Sequence, residues 1–277
     1  LPKGGLKKSE RDSMKRLKID EKLAGMKNIK KSHEIVQLFE TYATELDEKN
    51  NRFEKIAKIS RDITLESKRI ILFLHTINKN NEEDVLSEAS ARLRDVARNL
   101  FRSIAEEQKK QDSYQYRRAY RNGLEGYIEA ITFYQYLRRD VMKSFLEMER
   151  LLTYRLSHNY EMDSIQIVIS PYDYVLGIAD ATGELMRMCI NKLEAGDTAS
   201  YLETYEFIKE MYSHLVGCTN SPSKLLSRKL CTLEQNLQKI ESIYYTIKIK
   251  GSEMLKNIFV DLVGQTCEEN DENYYVY

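Results

Sequence analysis

Residues 32–77 read SHEIVQLFETYATELDEKNNRFEKIAKISRDITLESKRIILFLHTI, a stretch without glycine or proline. Apolar side chains recur in it at steps of three and four residues, the spacing that places them on one face of an α-helix. Ser32 can cap the first turn, and the pattern ends near Asn78–Asn81. The stretch therefore predicts one unusually long N-terminal helix.

The rest of the chain is also predicted to be helical. It contains 11 Gly and 3 Pro among 277 residues, too few backbone breakers for a sandwich or barrel, which needs a turn after every strand. Residues 157–169 break the helical periodicity, and 165–169 could be extended. We expect an all-α bundle of seven or eight helices, the later ones near 83–109, 114–138, 141–155, 171–193, 199–216 and 223–249, with a short last helix through Phe259 and Leu262.

Charge is unevenly distributed along the chain, although the formal net charge is zero. Residues 1–31 hold eleven Lys or Arg against four acidic residues. We therefore expect a basic disordered arm at 1–31, a helical domain at 32–265 and an acidic flexible tail at 266–277. The arm could pair with phosphate, serve as a nuclear import signal, or be a solvated tail without either role.

Cysteine usage and hydropathy limit the class of protein. The four cysteines lack CxxC spacing and the chain has four histidines, which argues against a zinc site or a disulfide framework and favours a reducing compartment. No apolar run approaches the ~20 residues that a membrane span needs. We expect a soluble protein of the cytoplasm and nucleus that does not engage membranes.

Two pairs of acidic residues lie in apolar surroundings. Glu125 and Glu129 are four residues apart, as are Asp180 and Glu184, so each pair shares one face of its helix. If the two helices pack together, these carboxylates could surround one cation. Oxygen ligands without Cys or His favour Mg²⁺, with Mn²⁺ as a substitute, and such an ion suits phosphodiester hydrolysis.

A simpler interpretation of the acids remains open at this point. They could form a solvated face or an ordinary ion pair, such as Glu184 with Arg187. Gly177 and Gly183 near Asp180 favour a site slightly, because small residues let another backbone or a ligand approach closely. His75 is expected to be a helix residue without catalytic duty.

Two basic segments are candidates for nucleic-acid contact. Arg61, Lys68 and Arg69 could touch phosphates, or they could belong to a salt-bridged helix face. The run at 114–121 interleaves Tyr114, Tyr116 and Tyr120 with Arg117, Arg118 and Arg121. That composition suits stacking on single-stranded bases, and equally suits a protein interface.

Several blocks of sequence resemble the translin family, specifically its translin-associated factor X group. They are residues 60–69 (SRDITLESKR), 171–180 (PYDYVLGIAD), 182–191 (TGELMRMCIN) and 248–253 (KIKGSE). The resemblance covers about residues 32–265, which is all but the two tails. The longer blocks are specific because they span many positions without gaps.

The resemblance implies a seven-helix translin fold that assembles with translin into a closed hetero-octamer, the endoribonuclease complex called C3PO. Such complexes cleave single-stranded RNA with Mg²⁺, and are associated with passenger-strand removal during RNA-interference loading and with tRNA maturation. The factor X subunit carries the catalytic acids, and translin supplies much of the RNA-binding surface. Carried over by motif, Glu129, Asp180 and Glu184 would bind the metal.

One position departs from the family pattern. The family's first catalytic glutamate stands three residues before the residue matched by Glu129, and Gly126 occupies that position here. Glu125 is adjacent, but one residue corresponds to about 100° of helix rotation. The sequence therefore supports two hypotheses. The chain is a Mg²⁺-dependent endoribonuclease subunit, with Glu125 as a possible fourth catalytic acid, or a degenerate partner that binds RNA and serves the assembly and localisation of translin.

Overall fold

The computed structural model describes residues 33–109, 111–158, 161–219 and 224–250. The chain divides into two compact units, residues 1–51 and 52–277. The predicted basic arm at 1–31, the acidic tail at 266–277 and the short helix through Phe259 lie outside the described residues. No helix of the described part carries an apolar stretch long enough to cross a bilayer.

Seven α-helices account for most of the described residues, which confirms the all-α class and the long N-terminal helix. The second, at 82–107, is continuous but contains a π-helical segment at Val96–Phe101, and a 3₁₀ turn at Ser113–Tyr116 precedes the third. The helices are α1 (His33–Leu74), α2 (Glu82–Asp95, then Val96–Phe101 and Arg102–Glu107), α3 (Arg117–Arg138), α4 (Phe145–Leu151), α5 (Pro171–Glu194), α6 (Thr198–Val216) and α7 (Lys224–Lys250).

Between α4 and α5 the predicted break in helical periodicity at 157–169 is confirmed, but the predicted extent of the preceding helix is wrong. The helix expected at 141–155 is confined to α4, which begins with a capping box formed by Ser144 and Glu147. Strands β1 (Thr153–His158) and β2 (Glu161–Gln166) follow as an antiparallel hairpin. The hydroxyl of Tyr154 in β1 donates to the carbonyl of Ala97, 2.6 Å away, in the π-helical segment. This tertiary contact and the cross-strand pairing are not visible in the local periodicity.

The predicted start of α5 is confirmed. Ser170 precedes Pro171, and its hydroxyl accepts a hydrogen bond from the backbone N–H of Tyr172 at 3.2 Å. Proline at the first helical position loses no hydrogen bond, because that N–H would have no partner within the helix. The helix therefore begins at a defined residue, which sets the direction of the side chains that follow.

In the second unit, α1 buries a seam of residues spaced by three and four. Ile56, Ile63 and Ile70 have no exposed surface, and the small polar residues Ser60 and Ser67 lie between them and are also buried. Because serine is small, a neighbouring helix can approach α1 closely along this seam.

Glycines mark where α3 meets its neighbours. The backbone N–H of Gly123 donates to Ser60 Oγ at 3.1 Å, and a methyl group at Gly123 would lie 2.8 Å from the Ser60 carbonyl oxygen. On α5, a methyl group at Gly177 would lie 2.7 Å from Ile128 Cβ and 2.9 Å from the Glu125 carbonyl oxygen. The expectation of a close backbone approach is thus confirmed for Gly177, and α3 packs tightly against both α1 and α5.

Gly177→Ala is expected to lower the free energy of unfolding by about 2 kcal/mol, because the added methyl forces α3 and α5 apart. Gly183→Ala on the same helix is the matched control. A methyl there meets nothing within 4 Å, so its expected effect is a gain of about 0.5–1 kcal/mol from better helix propensity. Urea unfolding measures both changes. Equal stability of the two variants would show that the α3–α5 contact is looser than described.

Candidate functional site

The tight packing of α3 against α5 brings the two predicted acid pairs to one place. The side chains of Glu125, Asp180 and Glu184 are 13%, 32% and 22% exposed, and Glu129 is half-buried. Half-buried carboxylates lose part of their hydration and depend on nearby charges for stability. The structure therefore places all four predicted acids in a partly desolvated region between helices.

Glu129 shows how strongly the acids influence one another. Burial, followed by the negative charges of Asp180 and Glu184, raises the pKa of Glu129 to about 8, although Lys229 and Lys68 act in the opposite direction. A carboxyl whose pKa is raised by two other carboxylates shares one electrostatic environment with them. The charges of Glu129, Asp180 and Glu184, which we call the acid cluster, therefore act on one another.

Glu184 is held by two basic side chains. Nε2 of His75, which directly follows α1, lies 2.7 Å from Glu184 Oε2, and Arg187 Nη2 lies 3.1 Å from the same oxygen. Burial alone would raise the pKa of Glu184, but the His75 hydrogen bond and the charges of Arg187, His75 and Lys68 outweigh burial and lower the pKa. The ion pair between Glu184 and Arg187 considered from spacing is therefore present within the cluster.

Asp180 is paired with a lysine from α7. Lys229 Nζ lies 2.5 Å from Asp180 Oδ1 and 3.9 Å from Glu125 Oε2. Its side chain is 21% exposed, so its ammonium lies among the carboxylates. Lys229 thus supplies one positive charge to the cluster and links α3, α5 and α7.

Glu125 is engaged by a second set of charges. Arg121 Nε donates to Glu125 Oε1 at 2.7 Å, and the same nitrogen lies 3.1 Å from Asp173 Oδ1. Asp173 is fully buried and also accepts from Arg117 at 2.8 and 3.1 Å. Glu125 therefore lies in an alternating chain of charges that runs Arg117, Asp173, Arg121, Glu125, Lys229, Asp180, which we call the ion chain.

Position 126 has different surroundings from position 125. A methyl group at Gly126 would make ordinary contact with Ser67 Cβ of α1, at 3.9 Å. The hydroxyl of Ser67 is buried and has no hydrogen-bond partner among the described residues. A Cβ atom at 126 is thus tolerated, whereas the carboxylate of Glu125 is directed to Arg121 and Lys229.

The acid cluster fits a divalent cation by its donor chemistry. Its carboxylate oxygens are hard ligands of the kind that Mg²⁺ and Mn²⁺ accept. The pKa of Glu129 is raised first by burial and then by the negative charges of Asp180 and Glu184, which a bound cation would offset. As the side chains stand, no three His, Cys, Asp or Glu residues of the described part are arranged to hold a metal. Lys229 and His75 hold two of the acids, so cation binding requires side-chain rearrangement.

The predicted basic residues fall into two groups. Arg61, Lys68, Arg69 and Arg118 are exposed, and Arg69 makes a 3.4 Å contact with Glu66. Arg117 and Arg121 are instead bound to Asp173 within the ion chain. The side chains of the first group are exposed to solvent, whereas Arg117 and Arg121 are engaged in ion pairs with a buried carboxylate.

The stacking interpretation of the tyrosine run is wrong for two of its three rings. Tyr114 is 64% exposed, but Tyr116 and Tyr120 are 1% and 0% exposed. The hydroxyl of Tyr120 donates to the Val168 carbonyl at 2.9 Å, so this ring fills the core while its polar end is satisfied. Composition alone does not show which tyrosines of such a run are buried, because that depends on how the helix packs.

Sequence reasoning missed two residues of the site. His75 was expected to have no special role, yet it contacts Glu184. Lys229 carried a recognisable signal, because it interrupts the apolar face of α7 formed by Leu226, Leu230 and Leu233, all of which are buried. A lysine on such a face requires a buried partner.

Comparison with known proteins agrees with this architecture. Residues 51–251 match the Translin family. Translin-associated protein X of Rattus norvegicus is 34% identical over 260 residues, which cover 89% of each chain. The Translin-associated protein X homolog of Schizosaccharomyces pombe is 28% identical over 217 residues, covering 75% of this chain and 86% of the relative.

Solved structures with the same fold include two C3PO chains. Apo-NeC3PO superposes with a TM-score of 0.56 at 19% identity, covering 74% of this chain and 94% of the other. A chain of the AfC3PO–duplex RNA complex gives a TM-score of 0.56 at 21% identity, with coverages of 77% and 97%. By its sequence match and its fold, the chain belongs to the translin family and is similar over most of its length to translin-associated protein X.

Proposed function

We propose that this protein is the catalytic subunit of a Mg²⁺-dependent endoribonuclease that acts on single-stranded RNA. The observation that carries the proposal is the close packing of α3 on α5 at Gly177, which places Asp180 of α5 and Glu125 of α3 at the same lysine, Lys229. The charges of Asp180 and Glu184 also act on the half-buried Glu129 of α3. A half-buried carboxyl such as Glu129, whose pKa is raised by burial and by two neighbouring carboxylates, is costly and is typical of a functional site. A divalent cation held by the acid cluster would polarise a phosphoryl oxygen for hydrolysis, with Mn²⁺ able to substitute for Mg²⁺.

The residues of the chain itself would orient the strand. The charge of Lys68 acts on both Glu129 and Glu184, yet its side chain is exposed, so its ammonium can reach a phosphate next to the acids. Arg61 and Arg69 are exposed on the same helix. These contacts select the phosphate backbone rather than a base sequence.

Translin is the proposed partner, in a hetero-octamer that serves RNA-interference loading and tRNA processing in the cytoplasm and nucleus. The names of the mammalian relatives describe them as translin-associated. The part of α1 that lies in the first unit also exposes an apolar stripe. The stripe covers about 100° of the helix circumference. It consists of Ile35, Leu38, Phe39, Tyr42 and Leu46, which are 48–67% exposed. A stripe of this kind is typical of a helix that packs against another protein.

A second candidate function is supported by the residues around Glu125. Gly126 lacks the acid that the family pattern places there, and Arg121 and Lys229 hold Glu125 in the ion chain. If three acids do not suffice for catalysis, the chain is an assembly and localisation partner of translin that binds RNA without cleaving it.

Cleavage of a labelled single-stranded RNA by the full chain, purified with translin, distinguishes the two functions. With Mg²⁺ we expect cleavage that EDTA and Glu129→Gln abolish, because a neutral amide is a weak ligand for Mg²⁺. Glu88→Gln, at an exposed position of α2, is the matched control and should retain full activity.

Gly126→Glu completes the experiment, since a Cβ atom at 126 is tolerated. An inert wild type together with an active Gly126→Glu would establish the degenerate assembly partner. If neither protein cleaves RNA but both bind it, the assignment of the catalytic acids is wrong.

A further inference from the structure

Lys229 occupies an unusual place for a lysine. It lies on the apolar face of α7, between the buried Leu226 and Leu230, and its ammonium contacts Asp180 and Glu125. The family resemblance assigned no role to this position, and the proposed cleavage reaction does not use it.

The ammonium and a divalent cation compete for the same carboxylate. Lys229 Nζ lies 2.5 Å from Asp180 Oδ1, and Asp180 is one of the three proposed metal ligands. Two cations at one carboxylate would repel each other strongly in a partly desolvated site. Binding of the divalent cation must therefore displace the ammonium from Asp180.

The displaced ammonium has a natural second partner. Lys229 has a flexible four-carbon stem, and its side chain retains 21% exposure, so Nζ can turn from Asp180 toward solvent. An RNA phosphate that reaches the acid cluster presents a negative charge at this surface. Pairing of Lys229 with that phosphate would release Asp180.

We propose that Lys229 is an internal counter-ion that holds Asp180 until the RNA backbone arrives, and so couples binding of the divalent cation to binding of the strand. The inference rests on the proposed function and adds a regulatory role for one residue to it. Without RNA, the ammonium weakens cation binding. With RNA, the phosphate takes the ammonium, and each ligand strengthens the binding of the other.

Titration of the full chain with Mn²⁺, followed by the electron paramagnetic resonance signal of free Mn²⁺, tests the proposal without any cleavage. Lys229→Met removes the charge but keeps most of the apolar stem. We expect it to tighten Mn²⁺ binding on the order of tenfold, because a partly buried pair of opposite charges exceeds thermal energy severalfold. Lys229→Arg should bind Mn²⁺ as the wild type does. Lys239→Met, on the same helix outside the cluster, is the matched control.

A second titration in the presence of 2′-O-methyl RNA isolates the coupling. The RNA should tighten Mn²⁺ binding to the wild type and to Lys239→Met by a larger factor than it tightens binding to Lys229→Met, in which only the direct contact of the phosphate with the cation contributes. Lys229→Gln repeats the test with a polar side chain, which covers the case in which methionine impairs folding.

The outcomes separate the inference from the proposed function. If Mn²⁺ binds wild type and Lys229→Met equally, the counter-ion role is wrong while the metal site stands. If Mn²⁺ binds none of the proteins, even with RNA, both the metal site and the role of Lys229 are wrong. If RNA tightens Mn²⁺ binding by the same factor in the wild type and in Lys229→Met, the coupling through Lys229 is wrong.

Discussion

Glu129→Gln is expected to raise the free energy of unfolding at pH 8.5 by on the order of 3 kcal/mol in the presence of EDTA. The reason is the pKa of Glu129, which burial and the charges of Asp180 and Glu184 raise to about 8. Above that pH the folded protein carries an ionised carboxylate in a desolvated, negatively charged site. Glutamine has the same shape and no charge, so the variant avoids this cost.

The pH dependence follows from the direction of this shift. Between its ordinary pKa near 4.5 and the folded value near 8, Glu129 holds its proton in the folded state and loses it in the unfolded state. The folded protein then binds more protons, so the contribution of Glu129 to stability is full below pH 4.5 and is lost as the pH rises through 8. Glutamine cannot ionise, so Glu129→Gln does not lose stability as the pH rises through this range.

Urea unfolding at pH 5, 7 and 8.5 measures the free energy of unfolding of the wild type and of the variant. Taking the difference between them cancels the contribution of the other titrating groups. The gain from Glu129→Gln should grow with pH, while Glu88→Gln should show a small and constant difference. A gain that does not change with pH would mean that Glu129 is ionised in the folded protein throughout this range. Mg²⁺ should reduce the gain, since a bound cation stabilises the ionised wild-type carboxylate.

Asp173→Asn is expected to lower the free energy of unfolding by about 3–5 kcal/mol, the range typical of removing one partner from a buried ion pair. Asp173 has no exposed surface and accepts charge-assisted hydrogen bonds from Arg117, and Arg121 lies 3.1 Å from it. The substitution removes the negative charge that two arginines share near the start of α5. Arg121 would retain only Glu125 of its two acidic partners.

The matched control is Asp140→Asn. Asp140 pairs with Arg138 at 3.1 Å, but both side chains are about half exposed, so the expected loss is below about 1 kcal/mol. Thermal and urea unfolding of both variants measure the two losses in the free energy of unfolding. Similar losses for Asp173→Asn and Asp140→Asn would show that water reaches Asp173 and that the ion chain contributes little to stability.

Much of the helical framework could be predicted because its signals are local. The uninterrupted periodicity of residues 32–77 indicates a single helix, which the structure has at His33–Leu74. The Ser170–Pro171 pair marks the start of α5 for the same reason, since a cap and a proline act within one turn. The hairpin at 153–166 was indicated only by the break in helical periodicity and a possible extended segment at 165–169. Its pairing was missed because the hydrogen bonds join two strands and are not visible in either strand alone.

The sequence by itself determined which acids share a helix face, because the four-residue spacing of Glu125 and Glu129, and of Asp180 and Glu184, depends only on helix geometry. It could not determine which acids remain available to a cation. That depends on the side chains that other helices bring to them: Lys229 from α7, 49 residues away from Asp180, and His75, 109 residues away from Glu184. Charges interact through space, so the partner of each carboxylate depends on how the helices pack. The close contacts at the glycines of α3 and α5 set that packing.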